Sequence, residues 1–591
     1  MFRVTRRLLA QQSAGIDVQH FKRILEHSWR GQGASPPARV GIAVSGGVDS
    51  MALATLCAAA QRASGTAWPT FTAFVVDHKL RDNSTDEAHK VLTNLASLDI
   101  DSQLLTLDWS GIETADGIAN IESAARRLRY QALGRACRDV GARHLLVGHH
   151  ADDQAEGVLV RIVNRRYGAG LTGMRSGALI PECEDIYGVS CSEMSQRLKH
   201  EHLAPILEQE NVPSSSELTE PPLRPARLLT AGDGVRVLRP LLLYTKQQLV
   251  DTCTSANTAW FEDQTNADQT LALRNTVRSL LATEALPVAL RRSRLLSLAG
   301  SVRTRQETLQ KKVRQLVDGA NVRLDPRAGS LTCTLSVLDV ADLGDDFADG
   351  LTLFLRKMLN LVTPQRLVDR AATYSALSVL LSFAHTSAEA VCKVSVAGVT
   401  VAARETSTST AVFTMHRQMP SNMSKGSTDV LLKVPSSTES SATIATWSSW
   451  HLWDNRYWIR LGRVGASAST EQYGTLRFFT PADMTRLRSP SPDSPSRSSL
   501  RSVEFPLSDV RYTIPVLYIQ HAETPDGTAV TETIVAMPSV GWSRNTCQRW
   551  TRNVELTEST RWVYDIKYKH VDASLTEAVN NVEELDQTSM S

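Results

Sequence analysis

The sequence predicts an α/β protein whose N-terminal domain is built on a parallel sheet. From 38 to 164, apolar strand-like runs alternate regularly with helix-like runs, the pattern of a sheet covered on both faces. A glycine-rich turn, Ser45-Gly46-Gly47-Val48-Asp49-Ser50, joins the first of these strands directly to the first helix. The chain has 591 residues, too many for one core, so roughly two to four domains are expected.

The elements follow in order. "ARVGIAV" is a fully buried strand by its unbroken apolar run, and "DSMALATLCAAAQRA" is an Ala-rich helix. "FTAFVVD" is the second strand. "STDEAHKVLTNLASL" opens on Ser84-x-x-Glu87, which predicts a capping box and a helix. "SQLLTLD" is a strand, "ANIESAARRLRYQALGRACRDV" a long helix, "HLLVG" a short strand and "DDQAEGVLVRIVNR" a helix. Residues 175–235 are mixed and polar and read as an insertion. Residues 274–320 read as helical and basic, with ten Arg or Lys against two Glu between 274 and 314. Further on, "DGLTLFLRKMLNLV" is a helix and "CKVSVAGVTVAAR" is β-like. Residues 404–447 are rich in Ser and Thr, "RSPSPDSPSRSSLRS" is low-complexity, and the last twenty residues are an acidic tail.

Composition excludes some classes. At 42% hydrophobic and 21% charged the chain is ordinary for a soluble globular protein. No run approaches the ~18 apolar residues of a membrane span, so no membrane partner is expected. A net charge of +2 says nothing by itself about nucleic acid, and local distribution must carry that argument. None of the eight cysteines forms a Cys-x-x-Cys pair, which fits reduced thiols in a protein that is not secreted.

The turn at 45–50 is built to hold an anion. Glycines let backbone N–H groups point inward, the helix N-terminus adds partial positive charge, and Ser45 and Ser50 bring hydroxyl donors. No Gly-Lys-Ser/Thr is present, so this is not a Walker loop. Asp49 beside phosphates calls for a metal between them, and Mg²⁺ held by one carboxylate and phosphate oxygens fits. The plain alternative is a tight turn with Asp49 at the helix start.

With these motifs in place, the chain resembles the PP-loop ATP pyrophosphatases, and within them the tRNA(Ile)-lysidine synthases. "VVDHKLRDNSTDEA", "IESAARRLRY", "GHHADDQAEGVLVR" and "RPLLLYTKQQL" with "WFEDQTNADQTLALRNTVRSLL" are similar, in order, to four further segments of that family over 41–281. Lys79 and Gly157 depart from it, standing where a small residue and a Thr are usual. More faintly, "WDNRYWIRL" resembles an element of the C-terminal domain, and "RYTIPVL" with "IVAMPSVG" its closing strand pair. Core packing is the plain reading of Trp453, Tyr457 and Trp458.

The resemblance implies an enzyme that joins L-lysine to C2 of the wobble cytidine of tRNA(Ile) with a CAU anticodon. ATP is the co-substrate, Mg²⁺ assists, and the tRNA is adenylated on the way. It implies ATP-binding by Ser45, Gly46, Gly47, Val48, Asp49 and Ser50, with Asp49 also on the metal. Arg126 would be the cation on the developing phosphate charge, although Arg127 and Arg129 compete for that role by position alone. Lysine would be held by Asp153 and Glu156, which share a helix face at i, i+3. His149 would stand beside them as a polar wall or phosphate contact. No second ligand pair has zinc-site spacing, so the adjacent histidines do not read as a zinc site. The basic stretch at 274–314 is a candidate tRNA-contacting surface, with a solvated helical face as the plain alternative.

The expected organisation is an N-terminal extension at 1–35, a PP-loop catalytic domain at 36–280, a helical basic region at 281–385, a C-terminal α+β region at 386–570 with Ser/Thr/Pro-rich loops, and a tail at 571–591. The first residues carry Arg3, Arg6 and Arg7 and no acid before Asp17, as a transit segment would, so a mitochondrial location is expected, with the cytoplasm as the alternative. The competing functions are a PP-loop tRNA thiolase and a non-catalytic ATP- or RNA-binding scaffold.

Overall fold

A computed structural model describes residues 15–30, 37–65, 68–80, 83–110, 118–198, 230–261, 273–283, 286–383, 391–407, 410–420, 429–436, 446–465, 472–488, 508–522, 530–543, 552–557, 560–571 and 578–579. The chain divides into two compact units, 1–192 with 233–308, and 193–232 with 309–591. The candidate transit residues 1–14, most of the expected insertion, most of the low-complexity stretch and most of the acidic tail lie outside the described residues.

The first unit holds a six-stranded sheet. Its strands are β1 (Arg39–Val44), β2 (Thr70–Asp77), β3 (Asp101–Thr106), β4 (His144–Leu146), β5 (Gly177–Leu179) and β6 (Arg236–Leu238). Their order is β3-β2-β1-β4-β6-β5, parallel throughout except for β5 against β6. The helices are α1 (Val18–Arg30), α2 (Val48–Ser64), α3 (Ser84–Ala96), α4 (Ile118–Asp139), α5 (Ala151–Val163), α6 (Lys246–Ser255), α7 (Leu273–Ala282) and α8 (Arg292–Gly319), the last carrying the chain out of the unit.

Strand alternation sorts the side chains of β1 to two faces. Val40, Ile42 and Val44 pack with Met51, Leu53 and Leu56 of α2 and with Phe21, Leu25 and Trp29 of α1. On the other face Phe74 and Leu145 pack with Tyr130, Leu133 and Cys137 of α4. Gly41 looks toward that second face, where a Cβ would come within 2.7 Å of the Phe74 ring. This is why the first strand needs a glycine amid apolar residues.

Three expectations change. Residues 18–30, expected within the N-terminal extension, are an amphipathic helix with Phe21, Leu25 and Trp29 fully buried at i, i+4 and i+8. The insertion is shorter than 175–235, because β5 joins the sheet and Ile180, Cys183 and Val189 belong to the α4-side core. Ser84 does not cap α3. The helix starts from Asn83 without a side-chain cap, and Ser84 Oγ donates to Asp77 Oδ1 at 2.7 Å. Asp77 also accepts from Thr85 Oγ1 at 2.8 Å and from Lys79 N at 3.0 Å, which holds Lys79 at φ 53. That left-handed backbone explains why a small residue is the easier occupant of position 79.

The expected helical region at 281–385 is not a unit of its own: residues up to 308 belong to the first unit and the rest to the second. Strands 323–325 and 330–336 fall within it and join 391–396, 399–407 and 410–417 in one antiparallel sheet. Helices Phe347–Val362 and Arg370–Phe383 share the core of that sheet through Phe354, Leu355, Met358, Leu377 and Leu380. The alternating sequence "SLTCTLS" at 330–336, with 331, 333 and 335 buried, is the signal for the strand that pairs with 323–325 and 410–417. The expected closing pair is present as strands Pro515–Ala522 and Val530–Met537.

The aromatic cluster at 453–458 is core, as its plain reading has it: Trp453, Tyr457 and Trp458 are 1%, 0% and 2% exposed. Asp454 and Asn455, both at positive φ, make the two-residue turn of a hairpin closed by Arg456 N to Trp453 O at 3.0 Å. Asp454 is buried and pairs with Arg417 at 3.0 Å and Arg456 at 2.7 Å. Beside them the half-buried Lys569 donates Nζ to Thr363 O at 2.9 Å.

Burial brings the Lys569 pKa from the ordinary 10.5 down to about 7; the Arg456 cation adds to the shift and Asp454 offsets part of it. The unfolded chain therefore binds one more proton than the folded one between those values, and stability rises with pH from about 7 toward 10.5. Thermal melts across that range will show the slope in the parent protein. Lys569→Met will flatten it and raise the midpoint at pH 7 and below, whereas parallel melting curves would assign Lys569 an ordinary titration.

Candidate functional site

The site is built on the carboxyl ends of β1 and β4. These strands are neighbours in space, with Gly41 opposite Leu145, although β2 and β3 separate them in sequence. The chain leaves β1 toward one edge of the sheet and returns at β4 on its other side. The connections that follow them run to opposite sides, and the crevice outside the strand ends at such a point is the usual ligand position in such sheets.

The β1 loop is folded by its own residues. Gly46 has φ +87, and a Cβ on it would strike Val91 Cγ2 at 2.5 Å, so both backbone and space demand glycine. Gly46 O accepts from Phe261 N at 2.9 Å. Ser50, expected as a ligand donor, is buried and bonded within the loop: its Oγ donates to Gly47 O at 2.9 Å, accepts from Ser45 N at 3.2 Å and lies 3.3 Å from Ser45 Oγ. Ser45 is exposed. Helix α2 begins after Gly47 with no side-chain cap, leaving the first-turn amides to an external acceptor.

The β4 loop lies directly against this one. A Cβ on Gly148 would stand 2.9 Å from Asp49 O and 3.2 Å from Ser50 N. His150 then caps α5: its Nδ1 accepts from Asp152 N at 3.2 Å, and its own N–H donates to Asp153 Oδ2 at 3.1 Å. Its Nε2 faces Asp49 Oδ1 at 3.4 Å and Asp153 Oδ2 at 3.6 Å, while Asp152 Oδ2 lies 3.5 Å from Nδ1. Burial disfavours the imidazolium, but the hydrogen bond to Asp49 and the charges of Asp153, Asp49 and Asp152 outweigh it, so the His150 pKa is raised.

Two arginines close the far side of α5. Arg278 of α7 grips Glu156 with two hydrogen bonds, Nε to Oε1 at 2.8 Å and Nη2 to Oε2 at 3.1 Å. Arg292 of α8 pairs with Asp152 at 2.6 Å, and the same carboxylate accepts from Lys246 N at 2.8 Å. Below these pairs Ala155, Val158 and Leu159 pack on Val277, Leu295 and Ala299.

The structure thus gathers the 45–50 loop, Asp49 and Asp153 around His150, with Glu156 one turn further along α5 and His149 half-buried next to the cap. Arg126 is placed apart from this cluster. It pairs with Glu182 at 3.5 Å and lies 4.8 Å over the Tyr130 ring, with Arg129 at 5.6 Å on the same ring. Asp152, which the helical spacing sets off the Asp153 face, is nevertheless part of the charged network.

His150, Arg278 and Arg292 were not singled out by sequence reasoning. Arg278 is the closing residue of "RNTVR", so its signal lay in a quoted motif that had no partner until the fold supplied Glu156. Among the cations of 274–314, Arg278 and Arg292 are drawn into ion pairs and Arg303 donates to Thr172 O at 3.0 Å. Arg291, Arg294 and Arg305 remain exposed. Among the described residues no group of three or more His, Cys, Asp or Glu is arranged to hold a metal by itself.

The family described as PP-loop domain matches residues 17–211 and 227–285. The chain carries a PP-loop domain. Its matched span contains the β1 loop, the β4 loop, α5 and α7. Relatives of the chain include the curated "Probable tRNA(Ile)-lysidine synthase" of Schizosaccharomyces pombe, 32% identical over 57% of this chain and 63% of that protein. The tRNA(Ile)-lysidine synthase of Bradyrhizobium sp. is 33% identical over 41% of this chain and 52% of that protein. The chain therefore spans between half and two thirds of the length of these relatives. Among solved structures, the U34-tRNA thiolase NcsA of Methanococcus maripaludis covers 50% of this chain and 79% of its own at 12% identity, with a TM-score of 0.30, too slight a likeness to argue from.

The contact between the two PP-loop-domain loops gives a paired expectation. Gly148→Ala forces a methyl against Asp49 and costs about 1–3 kcal/mol by overpacking. Gly157 on α5 has nothing within 4 Å of its would-be Cβ. Gly157→Ala therefore gains about 0.5–1 kcal/mol from helix propensity. Urea unfolding of the two variants beside the parent protein checks both signs.

Proposed function

We propose that the protein ligates L-lysine to C2 of the wobble cytidine of a CAU-anticodon tRNA(Ile), using ATP and passing through an adenylated tRNA. The observation that carries this reading is the meeting of an anion-holding loop and Asp49 with the carboxylates Asp153 and Glu156 in one crevice. The PP-loop domain supports ATP as the co-substrate, and the names of the relatives support tRNA(Ile) and lysine.

The chemistry divides between the two loops. The open amides of α2 and the backbone of Ser45, Gly46, Gly47 and Val48 would take the phosphates. The cytidine C2 oxygen attacks the α-phosphate and pyrophosphate leaves. Asp49 fits Mg²⁺ as a shared ligand: its buried Oδ1 is a hard oxygen donor, 3.4 Å from His150 Nε2, and phosphate oxygens and water would complete the shell. Such an ion would offset charge on the phosphates. His150, placed between Asp49 and Asp153, holds the two carboxylates at fixed separation from the loop.

In the second half-reaction the lysine ε-amine attacks C2 and AMP leaves. Asp153 and Glu156 serve as anchor for the lysine ammonium and as acceptor for the proton lost on attack. Arg126 is assigned to the phosphate step on the motif that it completes, and its exposed side chain must leave Glu182 to act there. Exposed Arg291, Arg294 and Arg305 would meet the tRNA backbone. A mitochondrial site of action belongs to the same proposal and rests on Arg3, Arg6 and Arg7; a reporter fused to residues 1–35 tests it. A thiolase using a persulfide needs an accessible thiol, and the seven described cysteines are all buried.

Incubation with labelled lysine, ATP and unmodified CAU-anticodon tRNA(Ile) decides the proposal: label enters the tRNA, and its absence with an active ATP–pyrophosphate exchange would reject lysine as the substrate. Asp49→Ala will abolish AMP release while the protein stays folded.

The two half-reactions separate by mutation. Glu156→Gln will still release pyrophosphate in the presence of tRNA but transfer lysine poorly, whereas Arg126→Ala will fail at pyrophosphate release. Equal loss of pyrophosphate release in both variants would overturn this division of roles.

A further inference from the structure

The side chain of Glu156 is only 4% exposed, and both of its oxygens already receive hydrogen bonds from the Arg278 fork. Arg278 comes from α7, a different segment of the chain, and its own side chain is 38% exposed. A carboxylate buried this deeply is strongly destabilising when left without a cation. Arg278 of α7 supplies that cation. Asp153 and Asp49 also attract the same guanidinium, so it sits in the field that a substrate ammonium would enter.

The charge and both oxygens of Glu156 are satisfied by the fork. An ammonium added beside the pair gains little, while one that replaces the guanidinium gains the whole interaction. Exchange leaves the buried charge balanced, and the exposed flank of Arg278 gives its fork a route to water. The neighbouring pair is different in kind. Asp152 is held by Arg292 and by the Lys246 backbone N–H together, so exchanging the arginine would still leave that carboxylate tied to the start of α6.

We propose that Arg278 is the resident cation of the amino-acid subsite, holding Glu156 while the subsite is empty and yielding it to the ammonium of the incoming lysine. This rests on the reading of Glu156 as a lysine anchor. Arg278 is on this account a positioning residue that sets the apparent affinity for lysine, because the subsite is competent only in the fraction of molecules whose fork has left it.

The test is the lysine KM of the full chain in the label-transfer assay at saturating ATP and tRNA. In Arg278→Met the competitor is gone and the KM for lysine falls about tenfold, the factor expected when the fork holds Glu156 about nine-tenths of the time. Low-millimolar guanidinium chloride, which can re-enter the vacated place, raises the KM of the variant toward the parent value. An unchanged or higher KM in a variant that melts like the parent overturns the proposal and makes the pair a fixed clasp for α7. Should Arg278→Met melt early, Arg278→Lys decides: its point charge holds Glu156 less well than the fork, so its KM lies below that of the parent, and a KM equal or higher overturns the proposal. Failure of the parent protein to transfer lysine at all rejects the underlying lysine-site reading instead, so the two failures are distinguishable.

Discussion

The site depends on the close approach of two backbones. Gly148 lies against Asp49 and Ser50 at distances that admit no Cβ, and this fixes the β4 loop to the start of α2. Every other feature of the cluster follows from that contact. His150, two residues after Gly148, reaches Asp49. The same histidine caps α5 and so sets where Asp153 and Glu156 project. The parallel pairing of β1 with β4 provides the approach, and the sheet order provides the crevice above it.

The second constraint is charge balance. Asp152, Asp153 and Glu156 are all buried on the first turns of one helix, with Asp49 half-buried beside them. The helix N-terminus favours negative charge but does not neutralise three carboxylates. Counter-charge comes from elsewhere: Arg278 on Glu156 and Arg292 on Asp152, while His150 stands between the loops against Asp49 and Asp153. These pairs tie α7 and α8 to the site helix in addition to the apolar contacts below them. Two cations of the run that the sequence presents as a surface are thereby tied to carboxylates of the site helix.

The second unit solves a comparable problem without an evident ligand. Asp454 sits in a two-residue turn whose backbone requires left-handed conformations, and two arginines balance its buried charge. Arg456 extends to Ala328 O and Thr513 O, so one guanidinium joins the hairpin to two other segments of that unit. The aromatic residues flanking the turn are core by burial, and the polar ones between them organise the strands around them.

The sequence by itself determined the strand–helix alternation of the first unit, the turn at 45–50 and the placement of Asp153 and Glu156 on one helix. These depend on local periodicity and on glycine stereochemistry, which a chain carries wherever it folds. It also carried the core reading of Trp453, Tyr457 and Trp458, because large aromatic side chains are buried wherever a core can take them. Only the tertiary structure decided which charges meet. His150 reads as one of two adjacent histidines until β4 is laid beside β1. Arg278 reads as one cation among ten until α7 packs on α5. Ser84 fits a capping box until Asp77, seven residues away, claims its hydroxyl. Helix α1 reads as an extension until its buried face finds the sheet. In each case the deciding partner lies outside the window in which sequence patterns operate, and burial, which sets the strength of a charge pair, does not exist before the chain is folded.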